Sequence, residues 1–286
     1  MTEKYDIRPG QSLDLLKELH ILTRDGKLNQ DSRRKLKQIY HLYQFIEPLM
    51  KEVSNAGHRL VLVDHGAGKS YLGFILYDLF FKQLEDSLYR IIGVETRDEL
   101  VEKSRALAAR LGFGGMEFLN LSVADSVQAG EMPEQVDIVT ALHACNTATD
   151  DAIDFALRKK AAFIVLVPCC QAEVASVLNR HKGRLLAENV LTEIWRHPMH
   201  TREFGSHLTN VLRCLQLEAH GYQVTVTELV GWEHSMKNEL IIARYKNAPR
   251  RANAEKLNNL LKSLGLEELR GRFYTPFQQD VATTTV

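Results

Sequence analysis

The sequence has no surplus of charge of either sign and no long apolar run. Its 36 lysines and arginines are balanced by 36 aspartates and glutamates, so net charge favours neither a nucleic-acid-binding nor a membrane-surface protein. The apolar runs fall short of the roughly 18 residues that a membrane span needs, and the first six residues lack the character of a signal peptide. We therefore expect a soluble, cytoplasmic protein with no membrane partner.

Cysteine is also scarce. The four cysteines, Cys145, Cys169, Cys170 and Cys214, do not make a disulfide framework in a chain of 286 residues. We expect the adjacent Cys169 and Cys170 to be reduced thiols. A hydrophobic content of 45% is enough for one sizeable core and an appendage. Any basic surface that binds a partner must be local.

The most informative stretch is a glycine turn that follows a short apolar run. Residues 60–63 predict a buried strand, and Asp64 stands where that strand ends. Gly66 and Gly68 allow the backbone to pass close to a ligand, and helical spacing of apolar residues begins at about Lys69. This arrangement is typical of a nucleotide-binding loop.

Two nucleotide-binding motifs compete for this turn. A phosphate-binding P-loop requires a glycine five positions before its last glycine, but that position is Val63, inside the strand. Its magnesium-binding acid belongs at the end of a second apolar strand, whereas Asp137 opens the apolar run that contains it. A P-loop NTPase is therefore the weaker alternative.

The pattern Asp64-x-Gly66-x-Gly68-x-Ser70 resembles the first motif of class I S-adenosylmethionine (SAM) methyltransferases, acid-x-Gly-x-Gly-x-Gly. Ser70 stands in the place of the third glycine. The resemblance implies SAM as the cofactor. It also implies cofactor contacts from Asp64, His65, Gly66, Ala67, Gly68 and Tyr71.

Two later strands extend the expected cofactor site. A second apolar strand ends at Glu95, where a carboxylate accepts hydrogen bonds from the two ribose hydroxyls, with Thr96 beside it. After a third strand, Asp125 either binds the exocyclic amine of an adenine or simply forms a turn. In the first case, Val123 or Ala124 packs on the adenine ring.

The fourth and fifth strands end in chemically reactive residues. Residues 135–142 form one strand, followed by His143 and Cys145, and residues 161–167 form the next, followed by Cys169 and Cys170. Alternating strands and helices predict a parallel sheet, so these strand ends gather at one edge and line a crevice. Leu142 and His143 are expected to contact the cofactor there.

Two short motifs resemble those of a subfamily of SAM methyltransferases. They are Leu142-His-Ala-Cys-Asn-Thr-Ala-Thr-Asp150 after the fourth strand and Val167-Pro-Cys-Cys-Gln171 after the fifth. That subfamily includes tRNA acceptor-stem 2'-O-methyltransferases and a glutathione-transferase-C-terminal-domain-containing protein. The resemblance covers about residues 58–175, with Asn146 where glycine is usual. It implies an RNA substrate, with His143, Cys145 and Cys169 as catalytic residues and Cys170 as a substrate contact.

Several roles remain open for these residues. His143 is either a general base or a structural histidine. The cysteines also invite covalent catalysis of the kind that cytosine-C5 methyltransferases use. A zinc site from His143, Cys145, Cys169 and Cys170 has unusual spacing, so we expect no metal.

Residues 179–207 form a basic, histidine-rich insertion or lid. Arg196, His197 and Arg202, with Trp195 for base stacking, are expected to bind RNA through phosphate contacts and stacking. The alternative is a solvated lid. A helix is expected from Phe204 to Leu217 and a last helix over residues 252–269.

Two final strands, residues 222–230 and 239–245, leave no room for a helix between them and predict an antiparallel hairpin. The expected fold is α/β, a Rossmann-like seven-stranded and mostly parallel sheet. We expect a helical extension at 1–57, a methyltransferase domain at 58–250, and a C-terminal helix and tail at 251–286. The expected function is methylation of tRNA or rRNA. The alternatives are a small-molecule or protein methyltransferase, a non-catalytic RNA-binding scaffold with the SAM fold, and the P-loop NTPase.

Overall fold

The computed structural model describes residues 7–28, 30–84, 88–142, 144, 147–169, 171–188, 190–229 and 239–273. Its strands are β1 (Leu60–His65), β2 (Tyr89–Glu95), β3 (Met116–Asn120), β4 (Ile138–Leu142), β5 (Phe163–Val167), β6 (Tyr222–Glu228) and β7 (Glu239–Tyr245). They form one seven-stranded sheet in the order β3-β2-β1-β4-β5-β7-β6. The predicted fold class is confirmed.

The first five strands are parallel, and β7 pairs antiparallel with both β5 and β6. The β6–β7 pairing runs from Tyr222 opposite Tyr245 to Glu228 opposite Glu239. The predicted hairpin is therefore present, although Val230, at the predicted end of its first strand, lies outside the described residues. Its two strands complete one edge of the sheet.

The described helices are α1 (Leu13–Glu18), α2 (Gln30–Asn55), α3 (Tyr71–Leu79), α4 (Asp98–Leu111), α5 (Val123–Ser126), α6 (Ala148–Lys159), α7 (Glu173–Glu188), α8 (Pro198–Ala219), α9 (Arg251–Ser263) and α10 (Arg270–Phe273). Short 3-10 helices cover Phe81–Gln83, Val190–Trp195 and Glu267–Leu269. Among the residues that the structure describes, no helix is long and apolar enough to span a membrane.

Both faces of the sheet are covered, which explains why all six residues of β1 are buried. Because side chains alternate along a strand, Leu60 and Leu62 join one core cluster while Val61 and Val63 join another. The first cluster includes residues of α1, α2 and α3, and the second includes residues of α6. The central strands are thus held rigidly between two helical layers.

The predicted N-terminal helices are present and pack on the first of these clusters. Leu15 and Leu16 of α1 and Ile46 of α2 are fully buried there. The Ser12 N–H donates to the Asp78 carboxylate of α3 at 2.8 Å. The boundaries at residues 57 and 250 stay predictions.

A third core cluster joins α7, α8 and α9 with the segment up to Phe273. Two predicted helix boundaries in this region are wrong. Helix α8 begins at Pro198 rather than Phe204, because proline suits the first turn of a helix, where its missing N–H is not needed. The helix expected over residues 252–269 ends at Ser263 and is followed by a separate 3-10 turn.

Candidate functional site

The candidate site lies at the carboxyl ends of the parallel strands, beside β1. The chain runs outward from β1 to β2 and β3 on one side and to β4 and β5 on the other. Ligands of open α/β sheets bind at such a reversal of strand order. The predicted gathering of the ends of β1, β2, β4 and β5 is therefore confirmed.

The turn after β1 depends on two glycines with left-handed backbones, Gly66 (φ +64°) and Gly68 (φ +58°). A Cβ at Gly66 would lie 3.3 Å from the Cβ of Ala144, so the turn passes closely against the loop after β4. Tyr71 begins α3 two residues later than the spacing predicts. Ser70 precedes it with φ +50°, a conformation that suits the glycine usual at this position.

Asp64, near the end of β1, is a buried acid that accepts a hydrogen bond from a neighbouring strand. Thr140 Oγ1 on β4 donates to its Oδ1 at 2.6 Å. Burial raises the pKa of Asp64 to about 7, although the Thr140 bond opposes the shift. Its carboxyl group therefore changes charge near neutral pH.

His65 points to the opposite face of the sheet. Its ring is fully buried, edge-on to Phe155 of α6 with centroids 4.6 Å apart, and neither ring nitrogen has a hydrogen-bond partner among the described residues. Burial lowers its pKa to about 3, so the ring is neutral. Because the ring is closed to solvent, a cofactor contact from His65 would come through its backbone.

Glu95, at the end of β2, is joined directly to the glycine turn. The Gly68 N–H donates to Glu95 Oε2 at 2.8 Å, and the Arg97 N–H donates to Oε1 at 3.1 Å. Arg97 also donates to the same carboxylate from Nε at 2.9 Å and from Nη2 at 3.3 Å. Burial alone would raise the pKa of Glu95, but these bonds outweigh it and hold the pKa below its usual value.

Asp125 lies at the start of α5, after the end of β3. Its backbone N–H donates to Ser122 Oγ at 3.0 Å, and its carboxylate accepts from the same hydroxyl at 2.5 Å. Val123 is buried while Ala124 and Asp125 are exposed. Ser122 therefore caps α5, and both roles weighed for Asp125 stay predictions.

The loops after β4 and β5 hold the expected catalytic residues. His143, Cys145, Asn146 and Cys170 lie outside the described residues. Leu142 is half-buried at the end of β4, and Cys169 is a half-buried thiol after β5. Thr149 Oγ1 donates to the Ala144 carbonyl at 2.6 Å and so ties the post-β4 loop to α6.

A family model described as a methyltransferase domain matches residues 34–177, half of the chain. The chain belongs to this methyltransferase family. Membership confirms the predicted SAM-dependent methyltransferase domain and its cofactor.

Curated relatives of this methyltransferase chain are much longer. It is 25% identical over 205 residues to a glutathione S-transferase C-terminal domain-containing protein homolog of Drosophila pseudoobscura pseudoobscura, covering 64% of this chain and 33% of that protein. It is 23% identical over 240 residues to the glutathione S-transferase C-terminal domain-containing protein of Bos taurus, covering 77% of this chain and 34% of that protein. The chain thus spans about a third of the length of the curated relatives it matches.

Among solved structures, the chain is similar to the magnesium protoporphyrin IX methyltransferase of Synechocystis PCC 6803 with bound SAM. It is 10% identical, with 84% of this chain and all of that chain covered, at a TM-score of 0.43.

Two features of the turn after β1 suit SAM, while the residues expected to contact SAM stay predictions. Two left-handed glycines leave the turn without side chains, and a buried carboxylate lies directly against it. The nearby hydroxyl of Ser70 is buried and has no hydrogen-bond partner in the described ranges. Tyr71 is half-buried and Thr96 is exposed beside Glu95, with its hydroxyl 3.4 Å from Oε1.

Sequence reasoning missed a buried polar network behind the post-β4 and post-β5 loops. Arg213 of α8 donates from Nε to Asp150 Oδ1 at 2.6 Å, and Asn210 donates to Glu239 at 2.6 Å. Gln171 donates to Asn210 and accepts from Ser206. Helix α8 therefore fixes the start of α6 and the residue after Cys170. Their sequence signal is the helical spacing that places Ser206, Asn210 and Arg213 on one side of α8.

The expected RNA-binding segment is arranged differently from the prediction in one respect. Trp195 is only 1% exposed and stacks on Phe204 with ring centroids 4.8 Å apart. The prediction that Trp195 stacks on an RNA base is therefore wrong. Arg196 and Arg202 are exposed and pair with Glu193 and Glu203. His197 is exposed and precedes α8.

No group of three or more potential metal ligands lies together within the described part of the chain. Three members of the zinc set weighed above, His143, Cys145 and Cys170, fall outside that part. Cys214 is a half-buried thiol whose pKa burial raises to about 12. A thiol with this pKa is a poor nucleophile or metal ligand.

Proposed function

We propose that this chain transfers a methyl group from SAM to RNA, of the tRNA or rRNA class. The observation that carries the proposal is the contact between the Gly68 N–H and Glu95, which joins the glycine turn to the expected ribose-binding acid. The RNA acceptor is supported by the paired motifs after β4 and β5. The exposed side chains of Arg196, His197 and Arg202 also support it.

The protein's part in the reaction is alignment. When bound, SAM supplies an electrophilic methyl group on a positively charged sulfur. Glu95 orients the ribose by accepting its hydroxyl protons in hydrogen bonds, while Gly66 and Gly68 leave room for the methionine part. His143 takes the proton of the acceptor group as a general base, and the motif resemblance assigns Cys145 and Cys169 to catalysis and Cys170 to substrate contact.

Asp64 places a carboxyl group at the same strand edge. A carboxylate there is stabilised by the positive charges of SAM, so binding favours the ionised form. Because burial raises the Asp64 pKa to about 7, SAM binding to the protein is coupled to proton release near neutral pH.

The proposal is tested by incubating the protein with methyl-labelled SAM and with separate cellular fractions of RNA, protein and metabolites. Label is expected in the RNA fraction, and Gly66→Arg is expected to abolish it, because an arginine would fill the cofactor turn. Replacing Arg196 and Arg202 by alanine should weaken RNA binding across sequences and reduce its salt dependence.

The other outcomes identify the alternatives. Label only in metabolites or protein contradicts the RNA acceptor. If the wild-type protein binds SAM and RNA but labels nothing, the chain is a non-catalytic scaffold. Circular dichroism of each variant checks that lost activity does not reflect lost folding.

A further inference from the structure

Within the part of the chain that the structure describes, both carboxylate oxygens of Glu95 already accept hydrogen bonds. Its Oε1 accepts from the Arg97 N–H and Nε, and its Oε2 accepts from the Gly68 N–H and Arg97 Nη2. A carboxylate offers about four lone-pair positions. These four bonds fill them all, and the Thr96 hydroxyl lies at the outer limit of a fifth at 3.4 Å.

Two of the four bonds are fixed by the backbone, and the other two come from one side chain. The Arg97 guanidinium donates two parallel N–H groups to the two carboxylate oxygens of Glu95. The two hydroxyls of a ribose would donate to the same two oxygens. A Cβ placed at Gly68 would lie 3.7 Å from Arg97 Nη2. The guanidinium therefore extends over the glycine turn as well as over the carboxylate.

We propose that Arg97 occupies the ribose position in the cofactor-free protein and is displaced when the cofactor binds. This inference rests on the proposed function. Arg97 thereby competes with the ribose for Glu95, while the Gly68 and Arg97 backbone N–H groups keep the carboxylate oriented in both states. Arg97 is a residue that sets cofactor affinity rather than a catalytic residue.

The exposure of the two partners makes this exchange feasible. The Arg97 side chain is 62% exposed, whereas the Glu95 side chain is 8% exposed. The guanidinium therefore reaches the carboxylate from solvent and is readily hydrated after release, while Glu95 stays in place. Ion pairs of this exposure contribute little, so Arg97 should weaken cofactor binding by only about threefold to tenfold.

Calorimetry with S-adenosylhomocysteine tests the proposal on the wild-type protein, Arg97→Ala and the control Lys103→Ala. Lys103 lies on the same helix, α4, and is 72% exposed, so its removal costs one charge without touching Glu95. We expect Arg97→Ala to bind about threefold to tenfold more tightly and Lys103→Ala to match the wild type. The difference should shrink at high salt, which screens the Arg97–Glu95 pair.

Nuclear magnetic resonance of the arginine Nε–H groups gives a second readout on the wild-type protein. Without ligand, the Arg97 Nε–H proton should exchange slowly with water. Saturation with S-adenosylhomocysteine should make this exchange fast. Equal or weaker binding by Arg97→Ala, or an Arg97 signal that stays protected in the complex, overturns this inference alone. If the wild-type protein does not bind the ligand at all, the proposed function falls, and the inference falls with it.

Discussion

At the scale of single residues, Asp64 and His65 are buried neighbours whose protonation affects stability in opposite directions. Asp64 has a pKa of about 7 instead of 3.8, so its contribution is fully present below about pH 4 and is lost as pH rises through 7. His65 has a pKa of about 3 instead of 6.5, so its contribution is present above 6.5 and is lost as pH falls. Between about pH 4 and 6.5, the two contributions to the pH dependence of the free energy of unfolding have opposite slopes and cancel.

Single substitutions should reveal each slope. In Asp64→Asn the free energy of unfolding should rise from pH 4.5 to 6.5 relative to wild type, and in His65→Phe it should fall over the same range. Each slope approaches about 1.4 kcal/mol per pH unit. Urea unfolding at several pH values measures both, with Asp14→Asn as a control because that side chain is 82% exposed. Curves parallel to wild type in both variants would refute the assignment.

Residues whose role follows from backbone demands were predictable from sequence, and those whose role follows from burial were not. Gly66 and Gly68 have the left-handed backbones that the motif requires, and Glu95 lies beside them. The stacking role expected for Trp195 failed because composition does not tell which way an aromatic side chain points. The bidentate contact of Arg97 depends on a side-chain conformation that sequence spacing does not specify.

At the scale of elements, α7 and α8 cross in close backbone contact. A Cβ at Gly205 of α8 would lie 2.7 Å from the Cα, Cβ and N of Ala175. Gly205→Ala should therefore force the helices apart and destabilise the protein by about 1–3 kcal/mol. Thermal and urea unfolding measure the loss.

Gly183 provides the matched control on α7. A Cβ there meets no atom of the described residues within 4 Å, so Gly183→Ala should stabilise the helix by up to about 1 kcal/mol through helix propensity. Opposite signs for the two substitutions are expected. Equal effects would show that helix propensity, rather than the crossing, governs Gly205.

The order and direction of the elements were predictable because alternation of strands and helices restricts the topology. The five parallel strands follow this rule, and the β6–β7 hairpin follows from the lack of room for a helix between its two strands. Helix boundaries were less predictable. Pro198 starts α8 although proline usually signals a break, because the first helical turn needs no N–H from it.

At the scale of the whole molecule, the chain has one methyltransferase sheet and a third helical core beside it. The family model ends at residue 177, whereas ten of the twelve described residues buried in that core come after it. The sequence carries a recognisable motif for the cofactor half. The later half has no comparable motif, so its buried contacts between Arg213, Asp150 and Asn210 emerge only in the folded chain.

The most direct test of the account is equilibrium binding of SAM and of Mg-ATP, measured by calorimetry on the wild-type protein and on Gly66→Arg. SAM should bind the wild type, Gly66→Arg should lose that binding while remaining folded, and Mg-ATP should bind neither. Binding of Mg-ATP without SAM, or SAM binding that Gly66→Arg leaves unchanged, would contradict the assignment of this turn as the cofactor site.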